Sequence, residues 1–151
     1  MSAEILVDRA TPIDAGLVAT IHASCFARPW DETAMAQFIA GPDTLCLIAS
    51  TVDASGAVAA GFLIARKAAD EAELLTLGVA PSCRRMGLGR ALLRNAIAVL
   101  RASGATRLFL EVEEENEAAL QLYRSLGAVP VGRRPGYYEH GADAAMFSLA
   151  L

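Results

Sequence analysis

The sequence predicts a mixed α/β domain, and three observations carry that prediction. Short apolar runs of strand length alternate along the chain with longer stretches of helical spacing. In the middle, an apolar run, a glycine loop, a helical run and a second apolar run follow one another, the order of a strand–helix–strand crossover that sets two neighbouring strands parallel. The flanking strands follow one another across short connections, as hairpins do. With 151 residues, one domain spanning 1–151 is expected.

Residues 4–7 read as a first strand. Thr11-Pro12 then marks a helix start, with Thr11 as N-cap and Pro12 at the first helical position. Leu17, Ile21 and Cys25 keep helical spacing through to Phe26. A second short helix follows Pro29-Trp30-Asp31, with Met35, Phe38 and Ile39 inward. Residues 45–52 and 58–66 form a hairpin around the turn Asp53-Ala54-Ser55-Gly56. The strand over 73–79 contains Gly78, a sign of a bulge or of a close backbone approach. A helix runs to about Ala102 and stops at Ser103-Gly104. A strand over 108–112 precedes a helix over 116–126, which carries Ala119, Leu122, Tyr123 and Leu126 on one face and ends at Gly127. Two closing strands, 129–132 and 144–149, complete the set.

Composition excludes several classes of function. Hydrophobic residues make up 54% and charged residues 20%, which argues against disorder. No apolar run approaches the roughly 18 residues that cross a bilayer, and the first ten residues show no secretory pattern. A net charge of −4 disfavours a nucleic-acid partner. The three cysteines, Cys25, Cys46 and Cys83, are widely spaced and odd in number. That fits a reduced, cytoplasmic setting better than a disulfide framework. No Cys/His cluster has metal-ligand spacing, so no metal is expected.

The most informative stretch is Arg84-Arg85-Met86-Gly87-Leu88-Gly89-Arg90, lying between a strand and a helix. Glycines let backbone N–H groups approach a ligand, a helix N-terminus carries partial positive charge, and arginines pair with phosphate oxygens. The stretch therefore reads as a docking site for a phosphorylated cofactor rather than a plain turn. It is not a P-loop, because no Gly-Lys-Ser/Thr follows. A dinucleotide fingerprint fails as well: its third glycine position falls on Leu92, and the glycines start several residues after the strand.

These residues resemble the coenzyme-A signature of the GNAT superfamily of N-acetyltransferases, Arg84-x-x-Gly87-x-Gly89 after a strand. Pro29-Trp30, Gly61-Phe62, Gly78-Val79-Ala80-Pro81, Leu110-Glu111-Val112, Asn116, Leu122-Tyr123 and Gly136-Tyr137-Tyr138 follow in the order of its RimI subfamily. That resemblance implies a central, mostly antiparallel sheet of about seven strands, with a parallel pair splayed at the acetyl-CoA site, and about four flanking helices. It implies acetyl transfer from acetyl-CoA to the N-terminal alanine of a small-subunit ribosomal protein, with no enzyme nucleophile. The family also admits a lysine or small-amine acceptor, or a silent CoA-binding module. Two positions depart from the subfamily. Glu113-Glu114-Glu115 stands where a basic residue is common, and Gly127-Ala128 replaces the usual Gly-Phe.

The resemblance also assigns residues. Arg84, Arg85, Met86, Gly87, Leu88, Gly89 and Arg90 would meet the pyrophosphate. Leu77, Gly78 and Val79 would offer a strand edge to the pantetheine arm, and Asn116 would touch CoA while capping its helix. Glu111, an acid interrupting an apolar strand, is either a solvent-reaching side chain or the general base; the family favours the base. Tyr123 reads alone as core packing, but matches the residue that protonates the departing thiolate. Tyr137 and Tyr138 belong to a segment like the family's acceptor-side loop. Trp30 either walls the acceptor groove or staples the early helices. His22, among apolar helical residues, reads as structural, and His140 as a loop residue.

Overall fold

The element order follows the sequence pattern closely. The structure is a computed structural model that describes residues 4–138 and 141–151; His140 lies outside the described residues. Strand β1 (Glu4–Arg9) leads into α1 (Ala15–Cys25) and α2 (Glu32–Ala40). The hairpin β2 (Thr44–Asp53) and β3 (Gly56–Ala68) is followed by β4 (Glu71–Val79) and α3 (Leu88–Ala102). Then come β5 (Arg107–Glu113), α4 (Glu117–Ser125), β6 (Val129–Arg134) and β7 (Ala144–Ala150).

Helix starts obey their caps. Asp31 accepts the Ala34 N–H at 2.8 Å to open α2, and Asn116 accepts the Ala119 N–H at 3.2 Å to open α4. The first helix departs from expectation at its entry. Pro12–Asp14 forms a separate 3₁₀ turn, held by the Thr11 N–H donating to Asp14 Oδ2 at 2.9 Å, and α1 begins only at Ala15.

The strands form one seven-stranded sheet in the order β1-β2-β3-β4-β5-β7-β6. Every pairing is antiparallel except β4–β5. Strands β2 and β3 are buried on both faces, which is why 45–49 and 60–65 read as continuous apolar runs. On one face, Leu88, Leu92, Leu93 and Leu100 of α3 pack with Leu47, Leu63, Leu108 and Leu110. On the other, Val18 and Ile21 of α1 and Met35 and Ile39 of α2 cover Cys46, Ile48, Phe62 and Ile64.

That second core draws no residue from β5, β6 or β7. Helix α1 packs on β3 and β4, and α2 on β2. Side chains alternate along β5: Leu108, Leu110 and Val112 are buried toward α3 and α4, while Phe109 and Glu111 are half-buried on the face that α1 and α2 leave open.

The parallel pair is short. Glu71, Ala72 and Glu73 pair with Arg107, Leu108 and Phe109, and pairing ends there. Beyond that point the β5-facing edge of β4 has no strand partner. A register shift accompanies the parting: Ile64 faces Thr76 while Ala65 faces Leu74, so Leu75 is the extra residue of a bulge. Bulges bend a strand and increase its twist. The bulge expected at Gly78 is thus at Leu75, and Gly78 pairs in register with Phe62. Gly78 answers instead to close approach: a Cβ there would lie 2.7 Å from Phe62 Cε1 and 3.0 Å from Cys25 Sγ.

Candidate functional site

Strand β4 ends at Val79, and a 3₁₀ turn over Pro81–Cys83 carries the chain to the glycine loop. Arg84 folds back so that its Nε donates to the Val79 carbonyl at 3.1 Å. The Cys25 thiol donates to the same oxygen at 3.4 Å. Arg85 (φ +64°) and Gly87 (φ +90°) both take the left-handed conformation. Gly87 is the N-cap of α3, and no side chain caps the helix. The first intrahelical amide on the ladder is Ala91, donating to the Gly87 carbonyl at 3.0 Å. The amides of Leu88, Gly89 and Arg90 come before that ladder and have no intrahelical acceptor. No acid stands in the first turn, so the helix's own positive end meets no negative side chain there.

Around this turn lies a cleft of about 690 Å³. Leu77, Gly78 and Val79 line it from β4. Arg84, Arg85, Gly87, Leu88, Gly89 and Arg90 line it from the loop and α3, and Asn116 from the start of α4. Of the residues assigned to the cofactor, Met86 alone is absent from the lining; its side chain is exposed. The donor set suits a phosphorylated acyl carrier. It offers unpaired amides and three arginines at one end, and an unpaired strand edge at the other, where amides of an extended arm can pair as a strand does.

Part of this wall is not marked in the sequence. Cys25 and Phe26 reach the cleft from the end of α1, and Ala118, Ala119 and Leu122 from α4. Ala119 and Leu122 were legible as one helical face, but not that the face borders a cleft. Phe26 is 39% exposed, and nothing in the sequence pattern separates it from a core aromatic.

Glu111 stands on β5 two residues past the last β4–β5 pair, opposite Met146 of β7. Its side chain is 29% exposed, and its Oε1 lies 3.3 Å from Arg134 Nη2. The Arg134 guanidinium in turn sits 5.4 Å from the centre of the Tyr137 ring. Tyr137 meets Tyr138 edge to face, with centroids 5.2 Å apart. Burial, followed by the negative charge of Glu111, raises the Tyr138 pKa above the ordinary phenol range. Tyr123 is 5% exposed and lies edge-on to Phe147, with centroids 6.2 Å apart. Burial, then the neighbouring Tyr138, pushes its hydroxyl up to about 12.

The acidic run after β5 is partly neutralised. Arg133 binds Glu114 with both Nε and Nη2 and also binds Asp143. Asp143 accepts the Gly136 N–H at 2.7 Å, which anchors the loop carrying the tyrosines. Trp30 is drawn away from this group. It stacks between His22 (4.9 Å) and Phe38 (4.4 Å), and its backbone N–H donates to His22 Nδ1 at 3.2 Å, so it staples α1 to α2.

The model of the acetyltransferase (GNAT) family matches residues 17–128. The ribosomal protein bS18-alanine N-acetyltransferase of Escherichia coli (strain K12) is 44% identical over 95 residues, 61% of this chain and 64% of that enzyme. In that match the chain spans just under two thirds of its relative's length. N-alpha-acetyltransferase RimI of Mycobacterium tuberculosis is 34% identical over 147 residues, covering 93% of this chain and 89% of the relative. The crystal structure of the ribosomal-protein-S18-alanine N-acetyltransferase from Escherichia coli superposes with a TM-score of 0.85 at 32% identity, over 97% of this chain and 94% of that one. The glycine loop and the parted strands both lie inside the matched region, and the chain belongs to the acetyltransferase (GNAT) family, as a relative of its RimI-type N-terminal acetyltransferases.

Proposed function

We propose that residues 1–151 form one catalytic domain that transfers acetyl from acetyl-CoA to the α-amine of a protein N-terminus, the N-terminal alanine of a small-subunit ribosomal protein being the acceptor of first choice. The observation that carries the reading is the parting of β4 and β5 after Glu73 and Phe109. It leaves a free strand edge beside the glycine-loop cleft and a carboxylate, Glu111, on the open face of the adjoining strand.

In this reading the amides from Arg85 to Arg90 hold the pyrophosphate, with the arginine side chains as counter-charge. The edge at Leu77–Val79 pairs with the pantetheine arm, and a backbone N–H near Val79 polarises the thioester carbonyl. Glu111 takes a proton from the acceptor ammonium, directly or through water. The amine nitrogen bonds to the acetyl carbon and gives up its second proton to water, the carbon–sulfur bond breaks, and the sulfur leaves as thiolate. Tyr123 faces that sulfur as a hydrogen-bond donor. With its hydroxyl near 12, the phenol stays protonated at any physiological pH. Complete transfer to a thiolate of ordinary pKa, about 8.5, runs uphill, so stabilisation through the hydrogen bond is its main contribution.

The acceptor class follows from proton chemistry. An α-amine titrates at about 7.7–8.0 and a lysine at about 10.4. At pH 7 roughly a tenth of an N-terminus is neutral, against under a thousandth of a lysine. A single half-exposed carboxylate is matched to the easier proton. The three thiols are free, and among the described residues no helix is long and apolar enough to cross a membrane.

Acetyl transfer to three acceptors tests the reading: a peptide starting with alanine, an N-terminally blocked lysine peptide, and a polyamine. Acetylation at the α-amine of the first is expected. Preferred turnover of either other acceptor overturns the acceptor assignment. Bound acetyl-CoA with no turnover on any of them makes the domain a silent binding module.

A further inference from the structure

We propose that Arg134 is a positioning residue for acetyl transfer, tying the Glu111 carboxylate to the aromatic loop on the acceptor side; this rests on the reading of Glu111 as the base. Arg134 is the last residue of β6, Glu111 lies on β5, and β7 runs between them. The register explains how the two meet. Arg134 faces Ala144, and Ala144 faces Glu113; two pairs further along, Gly132 faces Met146, and Met146 faces Glu111. Arg134, Ala144, Met146 and Glu111 therefore share one face of the sheet. The residue beneath the arginine is an alanine, so its long side chain can cross β7 and reach the carboxylate.

The guanidinium is engaged on two sides. One nitrogen lies 3.3 Å from Glu111 Oε1, and the cation lies 5.4 Å from the Tyr137 ring centre. A planar guanidinium can pair with a carboxylate and stack on a ring at once, which an ammonium does less well. Its neighbour Arg133 is committed elsewhere, to Glu114 and Asp143. The two arginines thus divide the work: Arg133 anchors the root of the loop through Asp143, and Arg134 joins the loop's aromatic rings to the base. Glu111 would otherwise be a flexible side chain at a strand end. Holding one oxygen at Arg134 leaves the other to face the incoming ammonium.

A double-mutant cycle in the full chain tests this, using acetyl-CoA and an alanine-starting peptide with Arg134→Gln, Glu111→Gln and the pair. Arg134→Gln is expected to lower kcat on the order of tenfold, within the ~10²-fold that a misplaced group can cost, and to leave acetyl-CoA affinity by calorimetry unchanged. In the Glu111→Gln background the same substitution should lower kcat no further, since it acts through that carboxylate. Arg134→Lys should recover part of the loss. If the two losses multiply, or if Arg134→Gln turns over at the wild-type rate while Glu111→Gln does not, the positioning role is overturned and the base stands. Wild-type turnover by Glu111→Gln removes the base and the positioning role together.

Discussion

A single carboxylate and a single phenol carry the proton chemistry proposed for this chain, and they stand in different environments. Glu111 is half-buried beside Arg134, whereas Tyr123 is enclosed beside Phe147. General acid–base groups are worth about 10²–10⁴ in rate. Glu111→Gln is expected at the lower end of that range, because part of the acceptor amine is already neutral. Tyr123→Phe keeps the ring's packing and removes only the donor; its loss in kcat should be similar, with acetyl-CoA affinity nearly intact. Steady-state kinetics alongside calorimetry check both, and wild-type turnover in either variant removes that residue from the mechanism. At this scale the sequence was legible where a residue type is rare for its place. A carboxylate interrupting an apolar strand is such a case. Trp30 is not: a tryptophan before a short helix fits a groove wall and a staple equally, and its stack between His22 and Phe38 shows the staple. Phe26 gave no signal, since its exposure depends on where α1 ends relative to β4.

Elements explain why the cleft lies where it does. The strand, loop and helix from β4 to α3 were readable from spacing, because glycines and arginines between two apolar patterns leave few alternatives. The origin of the splay was not readable. Gly78 drew attention as the irregular residue, yet the bulge falls at Leu75, where nothing in composition marks it. A bulge is a relation between two strands, and one strand's sequence does not contain the register of the other. The loop itself carries a direct prediction. Gly87 has φ +90°, and a Cβ there would meet nothing nearer than Ile5 Cδ1 at 3.8 Å. Gly87→Val therefore suffers little crowding from the protein, but it forces a β-branched residue into a left-handed conformation, at a cost of about 1–3 kcal/mol. The local backbone should shift and the amides that precede the α3 ladder should lose their alignment. Acetyl-CoA affinity should fall at least tenfold by calorimetry, and unchanged affinity in a folded variant refutes the loop assignment.

At the scale of the whole molecule, helices cover both faces of the sheet at β2, β3 and β4 and one face at β5 and β7. The two cores differ in chemistry. The buried residues of the larger, under α3 and α4, are aliphatic apart from Tyr123 and Phe147, whereas the other lies against a buried histidine ring. His22 is 3% exposed, surrounded by Phe26, Trp30 and Phe62, and its Nδ1 accepts the Trp30 N–H. Nδ1 is thus unprotonated and the ring is neutral. Burial lowers its pKa below the ordinary value of about 6.5. Protonation would end the hydrogen bond and place a charge among three aromatic rings. The sign follows from linkage. The unfolded chain takes up this proton first as pH falls, so His22 contributes its full stability above about pH 6.5 and loses it as pH drops through the lower, folded value. Among the described residues, the other shifted groups titrate outside this window: Asp53 is lowered from its usual acid range, while Cys46, Arg133 and the phenols of Tyr123 and Tyr138 are raised. A fall in Tm between pH 7 and pH 5 is therefore expected to depend on this ring. In His22→Gln, whose side-chain oxygen can still accept the Trp30 N–H, the Tm should be lower at pH 7 yet change less between pH 7 and pH 5. Thermal melts of both proteins across that range decide the matter: parallel slopes would show that His22 is not the group that links the α1–α2 core to pH.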